Sequence, residues 1–110
     1  MVNFSVLVFI NVGREPLKLH EQPQSQHKVY GTEVTFCVSA TGAGPISYQW
    51  MKDGKAIELK PTDGFNVKDS ILSIFPFSKE HEGNYMCIVK NEDRELKTRT
   101  ATLRGTKMAF

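Results

Sequence analysis

The sequence predicts an all-β fold, either a sandwich or a barrel, built as one domain. Short stretches rich in β-branched and aromatic residues recur along the chain, and clusters of Gly, Pro, Asp and Asn separate them. No segment keeps the apolar period of a helix over several turns. At 110 residues, of which 40% are hydrophobic, the chain is long enough to bury a single core.

Turn signals divide the chain into candidate strands. Asp53-Gly54 predicts a tight hairpin, because glycine tolerates the positive φ that a primed turn demands. Pro76 ends a strand because proline donates no backbone hydrogen bond, and residues 78–83 predict a short helical or turn crossing between sheets. The resulting stretches, which allow seven to nine strands, are 17–20, 27–30, 33–40, 46–52, 56–59, 66–67, 71–75, 83–91 and 96–103.

Alternation along these stretches predicts which residues face the core. Successive side chains of a strand point to opposite faces, so apolar residues two positions apart share one face. The inward residues predicted in this way are Ile46, Tyr48, Trp50, Leu72, Ile74, Tyr85, Cys87 and Val89.

Three of these segments together resemble the immunoglobulin superfamily, and they are most similar to its I-set. The segments are Tyr48-Gln49-Trp50, Leu72-Ser73-Ile74 and residues 81–87, where the family has L-x-I on strand E and D-x-G-x-Y-x-C on strand F. The resemblance covers residues 17–103 and implies an immunoglobulin-like β-sandwich, with two antiparallel sheets in a Greek key. It also implies that Trp50 fills the space between the sheets and that the Tyr85 hydroxyl caps nearby backbone.

The same resemblance implies a set of core and motif positions. Phe77 takes the apolar position before the crossing from strand E to strand F. The 50 positions from Cys37 to Cys87 are too few for the extra strand pair of antibody variable domains, which favours an I-set or constant-like architecture. The full set is Val38, Trp50, Leu72, Ile74, Phe77, Gly83, Tyr85 and Cys87.

Strand B departs from the family pattern. Laid over residues 34–42, the family's V-x-L-x-C-x-A-x-G puts Val38 at the inward cysteine position and sends Cys37 to the opposite face. The disulfide between the sheets is then missing, and Cys87 is a buried thiol. Alternatively, a β-bulge near Phe36 rotates Cys37 inward and allows a Cys37–Cys87 bridge. The sequence leaves both alternatives open.

His81 is a second departure, since the family has an aspartate there that pairs with an arginine on strand D. Phe65 and Lys68 occupy that neighbourhood, so the usual ion pair is not expected. A neutral His81 that caps the turn and a pH-sensitive contact are the two interpretations. A third departure is the loop 91–95, which lacks the glycine common in that hairpin and whose charges predict a well-solvated turn.

Charge and motif content argue against catalysis and against a polyanionic partner. Fourteen basic and twelve acidic residues give a formal charge of +2, and the lysines are scattered beside acids, so we expect no nucleic acid partner. His20, His27 and His81 lack zinc spacing with the two cysteines. Because no phosphate-binding or nucleophile motif is present either, we expect no enzyme, no metal and no cofactor.

The ends of the chain fall outside the family match. Residues 1–16 are predicted to be an extension, namely a linker, a leader remnant or an added strand, residues 17–104 the domain, and residues 105–110 a tail. The longest apolar run, Val6 to Ile10, is far shorter than the roughly 20 residues of a membrane-spanning helix, so no span is expected in this fragment. One hypothesis is that the apolar extension pairs with an edge strand of this molecule or of another copy.

Candidate interface residues are the large apolar side chains that the predicted core leaves out. Within the domain these are Met51, Phe75 and Met86, and in the extension they are Phe4, Val6 and Val8.

The resemblance implies an interaction module of a larger adhesion or receptor protein, with a protein partner that could be a second copy. A cell-surface or secreted location is slightly favoured. The alternative is an intracellular structural or signalling-scaffold domain, like those of muscle filaments or paracaspases, which commonly lack the disulfide. Counting free thiols is expected to separate the two, because disulfides persist in oxidising compartments.

Overall fold

Two layers of strands enclose one apolar core in the computed structural model of this protein, which describes residues 15–108. Among residues 15–108, no helix has the length and hydrophobicity that a membrane span requires. Within that part the elements are β1 (Lys18–Glu21), β2 (Gln26–Val29), β3 (Val34–Cys37), β4 (Ser39–Thr41), β5 (Ser47–Lys52), β6 (Lys55–Ala56), β7 (Phe65–Lys68), β8 (Ile71–Ile74), the 3-10 helix η1 (Lys79–His81), β9 (Gly83–Lys90), β10 (Glu95–Lys97) and β11 (Ala101–Thr106).

The larger sheet has the strand order β2-β11-β9-β5-β6, and β10 also pairs with β9. Its strand pairs are antiparallel except for β2 and β11, which run parallel. The opposite layer consists of β3-β8-β7 and of β1 paired with β4. This arrangement confirms the predicted all-β, immunoglobulin-like sandwich.

Three predicted strands differ from those observed. The stretch predicted at 33–40 is divided at Val38 into β3, which pairs with β8, and β4, which pairs with β1. In place of the stretch predicted at 56–59 the structure has β6, whose pairing with β5 ends at Ala56. In the hairpin between β5 and β6, φ is 51° at Asp53 and 82° at Gly54, as a primed turn requires. The stretch predicted at 96–103 is two strands, β10 and β11, because Thr98 interrupts it. Its hydroxyl accepts the Cys87 amide and donates to the Arg99 carbonyl, both at 2.9 Å. β11 then continues through Thr106, into the segment assigned to the tail.

Aromatic side chains from both layers fill the core. Phe36 stacks on Tyr85 with ring centroids 5.1 Å apart and lies 6.5 Å from Trp50. Trp50 is 2% exposed, and its indole N–H donates to the Asp69 carbonyl at 3.4 Å. Burial of an aromatic side chain of this kind stabilises the fold by about 1.5–3 kcal/mol. The other buried apolar residues are Leu17, Val34, Val38, Leu72, Ile74, Phe77, Cys87, Val89, Ala101 and Leu103.

The crossing that contains η1 is held by hydrogen bonds around His81, which is buried. The Tyr85 hydroxyl donates to the His81 carbonyl at 2.5 Å. The His81 ring accepts the Ser78 amide at Nδ1 (2.9 Å) and places Nε2 2.6 Å from the Asp63 carbonyl. Since an amide can only donate and a carbonyl can only accept, the proton lies on Nε2. His81 therefore ties the crossing to the loop before β7 through backbone groups rather than through an ion pair.

A carboxylate fastens the parallel pair of strands to the same crossing. One Glu82 oxygen accepts both the Tyr30 hydroxyl and the Gly105 amide, each at 2.7 Å. The hydrogen bond from Tyr30, and then that from Gly105, lowers the pKa of Glu82 from its usual value of 4.5. Residue 105 must be glycine because a Cβ atom there would collide with the Tyr30 ring.

Replacing Tyr85 with phenylalanine is expected to reduce the free energy of unfolding by about 1–3 kcal/mol, because the buried His81 carbonyl loses its donor. Urea unfolding followed by Trp50 fluorescence measures this. Tyr48→Phe is the matched control, since within residues 15–108 the Tyr48 hydroxyl makes no hydrogen bond. Equal losses in the two variants would contradict the role assigned to the Tyr85 hydroxyl.

Acid is expected to weaken the fold through Glu82. Because its pKa is lower in the folded state, the stabilisation is present above pH 4.5 and is lost as the pH falls through the folded pKa. Glu82→Gln keeps an acceptor oxygen but removes the charge, so the midpoint of urea unfolding should depend less on pH between 5 and 3 than in the wild type. The exposed Glu33→Gln change is the control and should leave the slope unchanged.

Candidate interaction surface

The outer face of the larger sheet carries a small apolar cluster. In β9, Tyr85, Cys87 and Val89 are buried, so the residues between them point outward. Met86 pairs with Met51 of β5, and Met51 pairs with Ala56 of β6, so these three side chains form a row across the sheet. We call Ala56, Met51, Met86 and Ile88 the apolar patch.

Polar and basic side chains border the apolar patch. Ile88 pairs with Gln49 on β5 and with Lys97 on β10, and both of these residues are exposed. Met51, Met86 and Ile88 are half-buried by their neighbours, whereas Ala56 is exposed. An apolar centre with a polar rim is the usual composition of a protein interface.

The sheet below the apolar patch is well fixed at the end nearest Met51 and Met86. Asp53 accepts the Asn84 amide at 2.9 Å and lies 3.1 Å from the Lys52 amino group. These contacts, led by the Asn84 amide, lower the pKa of Asp53. A Cβ atom on Gly83, where φ is 153°, would collide with this carboxylate, so glycine keeps the turn and β9 in close contact.

Phe75, the third candidate within the domain, lies on the other layer. It follows β8, is 60% exposed, and lines an open cleft of about 390 Å³ together with Pro61, Glu33 and Ser73. The structure thus brings Met51 and Met86 together and leaves Phe75 apart from them. Phe4, Val6 and Val8, and the proposed pairing of their segment with an edge strand, lie outside the described residues.

Sequence reasoning missed several exposed apolar side chains. Leu59, Ile71 and Met108 are exposed, and Ile88 completes the apolar patch. The alternation rule was sufficient to find Ile71 and Ile88, since each adjoins residues predicted to face the core. Leu59 and Met108 lie outside regular strands, where alternation gives no signal.

Of the two alternatives left open for Cys37 and Cys87, the structure has the one without a disulfide. Both cysteines are free, with Cys37 exposed and Cys87 buried. β3 and the residue after it alternate without a bulge, so that Val34, Phe36 and Val38 are buried while Thr35 and Cys37 are exposed. Rotating Cys37 inward would displace Phe36 from its stack on Tyr85. Burial raises the pKa of Cys87 to about 12, which makes it a packing residue rather than a reactive thiol.

The described residues give little support for a metal-binding or catalytic site. Within residues 15–108, no three His, Cys, Asp or Glu side chains converge to hold a metal ion. An open cleft of about 390 Å³ beside His81 includes Lys52, Ser78 and Glu80. Both ring nitrogens of His81 already contact backbone groups, so the histidine is not available there as a base.

Comparison with known proteins agrees with this picture. A family model described as "Immunoglobulin domain" matches residues 18–91. HEPACAM family member 2 from Bos taurus is 37% identical over 70 residues, which cover 64% of this chain and 14% of that protein. The cell adhesion molecule Dscam1 from Drosophila melanogaster is 33% identical over 77 residues, which cover 70% of this chain and 3% of that protein. The chain therefore spans a small part of the length of these relatives.

The fold also matches solved structures. The tandem Ig repeats of Dlar superpose with a TM-score of 0.78 and 19% identity, over 86% of this chain and 50% of that one. This likeness concerns the fold alone.

A cysteine at position 38 is expected to restore a bridge between the layers. In the double variant Val38→Cys, Cys37→Ser, both remaining thiols point into the core, and oxidation should leave no free thiol in the unfolded, unreduced protein. Closing a loop of this length is expected to stabilise the fold by about 4 kcal/mol. Cys37→Ser alone is the control and should retain one thiol. Two thiols in the double variant would contradict the inward assignment of position 38.

Proposed function

We propose that this chain, which belongs to the immunoglobulin domain family, is a non-catalytic protein-binding module of a larger adhesion or receptor protein. One of its relatives is named as a cell adhesion molecule, and both relatives compared above are much longer than this chain. The observation that carries the proposal is the apolar patch, because the fold itself gives no reason for two methionines and an isoleucine on an outer face.

The position of the apolar patch suits binding. Its residues lie on paired strands rather than on loops, so little backbone order has to be gained when a partner binds. Methionine side chains are flexible and polarisable, and they adapt to the shape of a partner. Met86 is the central member, since it lies on β9 between Met51 on the neighbouring strand and Ile88 two positions along. Central apolar residues of this kind usually contribute most of the binding free energy.

The second candidate function is an intracellular structural or scaffolding domain. Val38 at the inward cysteine position favours it, because layers held together by apolar packing need no oxidising compartment. Counting thiols does not separate the two candidate functions. Cys37 lies on the outer face of its layer and Cys87 on the inner face of the other, so they cannot form a disulfide in either compartment. Staining intact cells that express the full-length protein with an antibody to this domain does separate them.

Replacing Met86 with glutamate is expected to abolish binding to the partner. We suggest presenting the chain as a multivalent fusion and measuring its binding to a panel of intact cells by flow cytometry. A charge buried at the centre of an interface costs about 2 kcal/mol or more, which is about thirtyfold or more in affinity.

Ile71→Glu is the matched control, because Ile71 is a 39% exposed apolar residue on the outer face of the opposite layer. It should leave binding unchanged, and both variants should unfold at the wild-type temperature. Equal binding by wild type and Met86→Glu would show that the apolar patch is not the binding site. No binding to any cell type would count against the adhesion proposal and favour the intracellular alternative.

A further inference from the structure

The strand registers place more basic than acidic side chains on the outer face that carries the apolar patch. Lys97 pairs with Ile88, and Lys90 lies two positions further along β9, so it points the same way as Ile88. Arg104 alternates with the buried Leu103 on β11 and so points outward beside His27, at the end of the sheet where β9 begins. Glu95, opposite Lys90, is the one carboxylate on the outward positions of the described strands of this sheet.

Lys90, Lys97 and Arg104 differ in whether a carboxylate lies near them. Within residues 15–108 the ion pairs are Lys52–Asp53 and Lys60–Glu58, so none of the three forms one there. Lys90 nevertheless faces Glu95, and the charge of Arg104 contributes to lowering the pKa of Glu82. Lys97 has no carboxylate opposite it and borders Ile88 directly. It is the member of the rim whose charge is most available to a partner.

Two carboxylates at the end of the sheet where β9 begins are committed to other contacts. Asp53, at the end of the sheet near Met51, already accepts the Asn84 amide and pairs with Lys52. Glu82 accepts two hydrogen bonds from Tyr30 and Gly105. Along its described strands, the outer face of the larger sheet therefore carries three cationic side chains and one carboxylate, although the whole chain has a formal charge of only +2.

We infer that the apolar patch binds a protein surface that carries carboxylates around an apolar centre, and that this surface is not a second copy of the same face. The inference rests on the proposed function, since it names the chemistry of the partner for that site. Face-to-face pairing of two copies would bring the basic rims together as water is excluded, and like charges at an interface cost several kcal/mol.

The apolar patch favours a protein as the partner over a sulfated glycan or a nucleic acid. A polyanion would satisfy Lys97 and Arg104 but would leave Met51 and Met86 uncovered. An acidic protein surface can do both, and the attraction between opposite charges would also speed its association.

The test uses the same multivalent fusion and intact cells, with Lys97→Glu as the variant. We expect at least about a fivefold loss of binding, and wild-type binding that weakens more steeply with added NaCl than the variant's does. Lys68→Glu is the matched control, since this exposed lysine lies on the opposite layer and makes the same change in net charge. Treating the cells with protease should abolish binding, whereas heparinase should not.

Sedimentation equilibrium of the wild-type chain tests whether two copies pair through this face, and we expect a monomer at all concentrations tested. Equal effects of Lys97→Glu and Lys68→Glu, loss of binding after heparinase, or a dimer that Met86→Glu dissociates would each overturn the inference. If Met86→Glu abolishes binding but Lys97→Glu does not weaken it, the inference that the partner carries carboxylates is wrong, whereas the proposed binding site is still supported. If Met86→Glu has no effect, the proposed site is wrong, and the inference fails with it.

Discussion

The packing of three aromatic rings between two layers of strands is the constraint on which the rest of this structure depends. Phe36, Trp50 and Tyr85 come from different strands, and each must point inward for the layers to close. The Tyr85 hydroxyl then fixes the His81 carbonyl, and with it the crossing between the layers. Because a strand alternates strictly, fixing one inward residue fixes the direction of every neighbour.

The same constraint determines what the protein can present to a partner. With Tyr85 and Cys87 inward, Met86 must point outward, and with Trp50 inward Met51 must do so too. It also explains the free cysteines. Val38 takes the inward place on strand B, so Cys37 is exposed, and the layers are held together by apolar packing rather than by a covalent bond. The apolar patch and the missing bridge therefore have one physical origin.

His81 shows how a departure from a family pattern can be compensated without charge. Where the family pairs an aspartate with an arginine, this chain uses a ring that bonds to backbone groups on both sides and packs edge-on against Phe65 at 5.1 Å. A buried ion pair pays a large desolvation penalty, whereas a ring with both nitrogens satisfied does not. The crossing keeps its shape, and Tyr85 keeps its acceptor.

The sequence by itself determined the fold class, the inward direction of Trp50 and Tyr85 and the outward direction of Met51 and Met86, because these follow from alternation and from motifs confined to residues 48–50, 72–74 and 81–87. It left the disulfide open, since a single bulge would have reversed the direction of Cys37. Only the tertiary structure decided that β3 has no bulge, that Thr98 divides the last strand, and that Lys97 lies beside Ile88. Such registers depend on contacts between residues far apart in the chain, and local sequence patterns do not specify them.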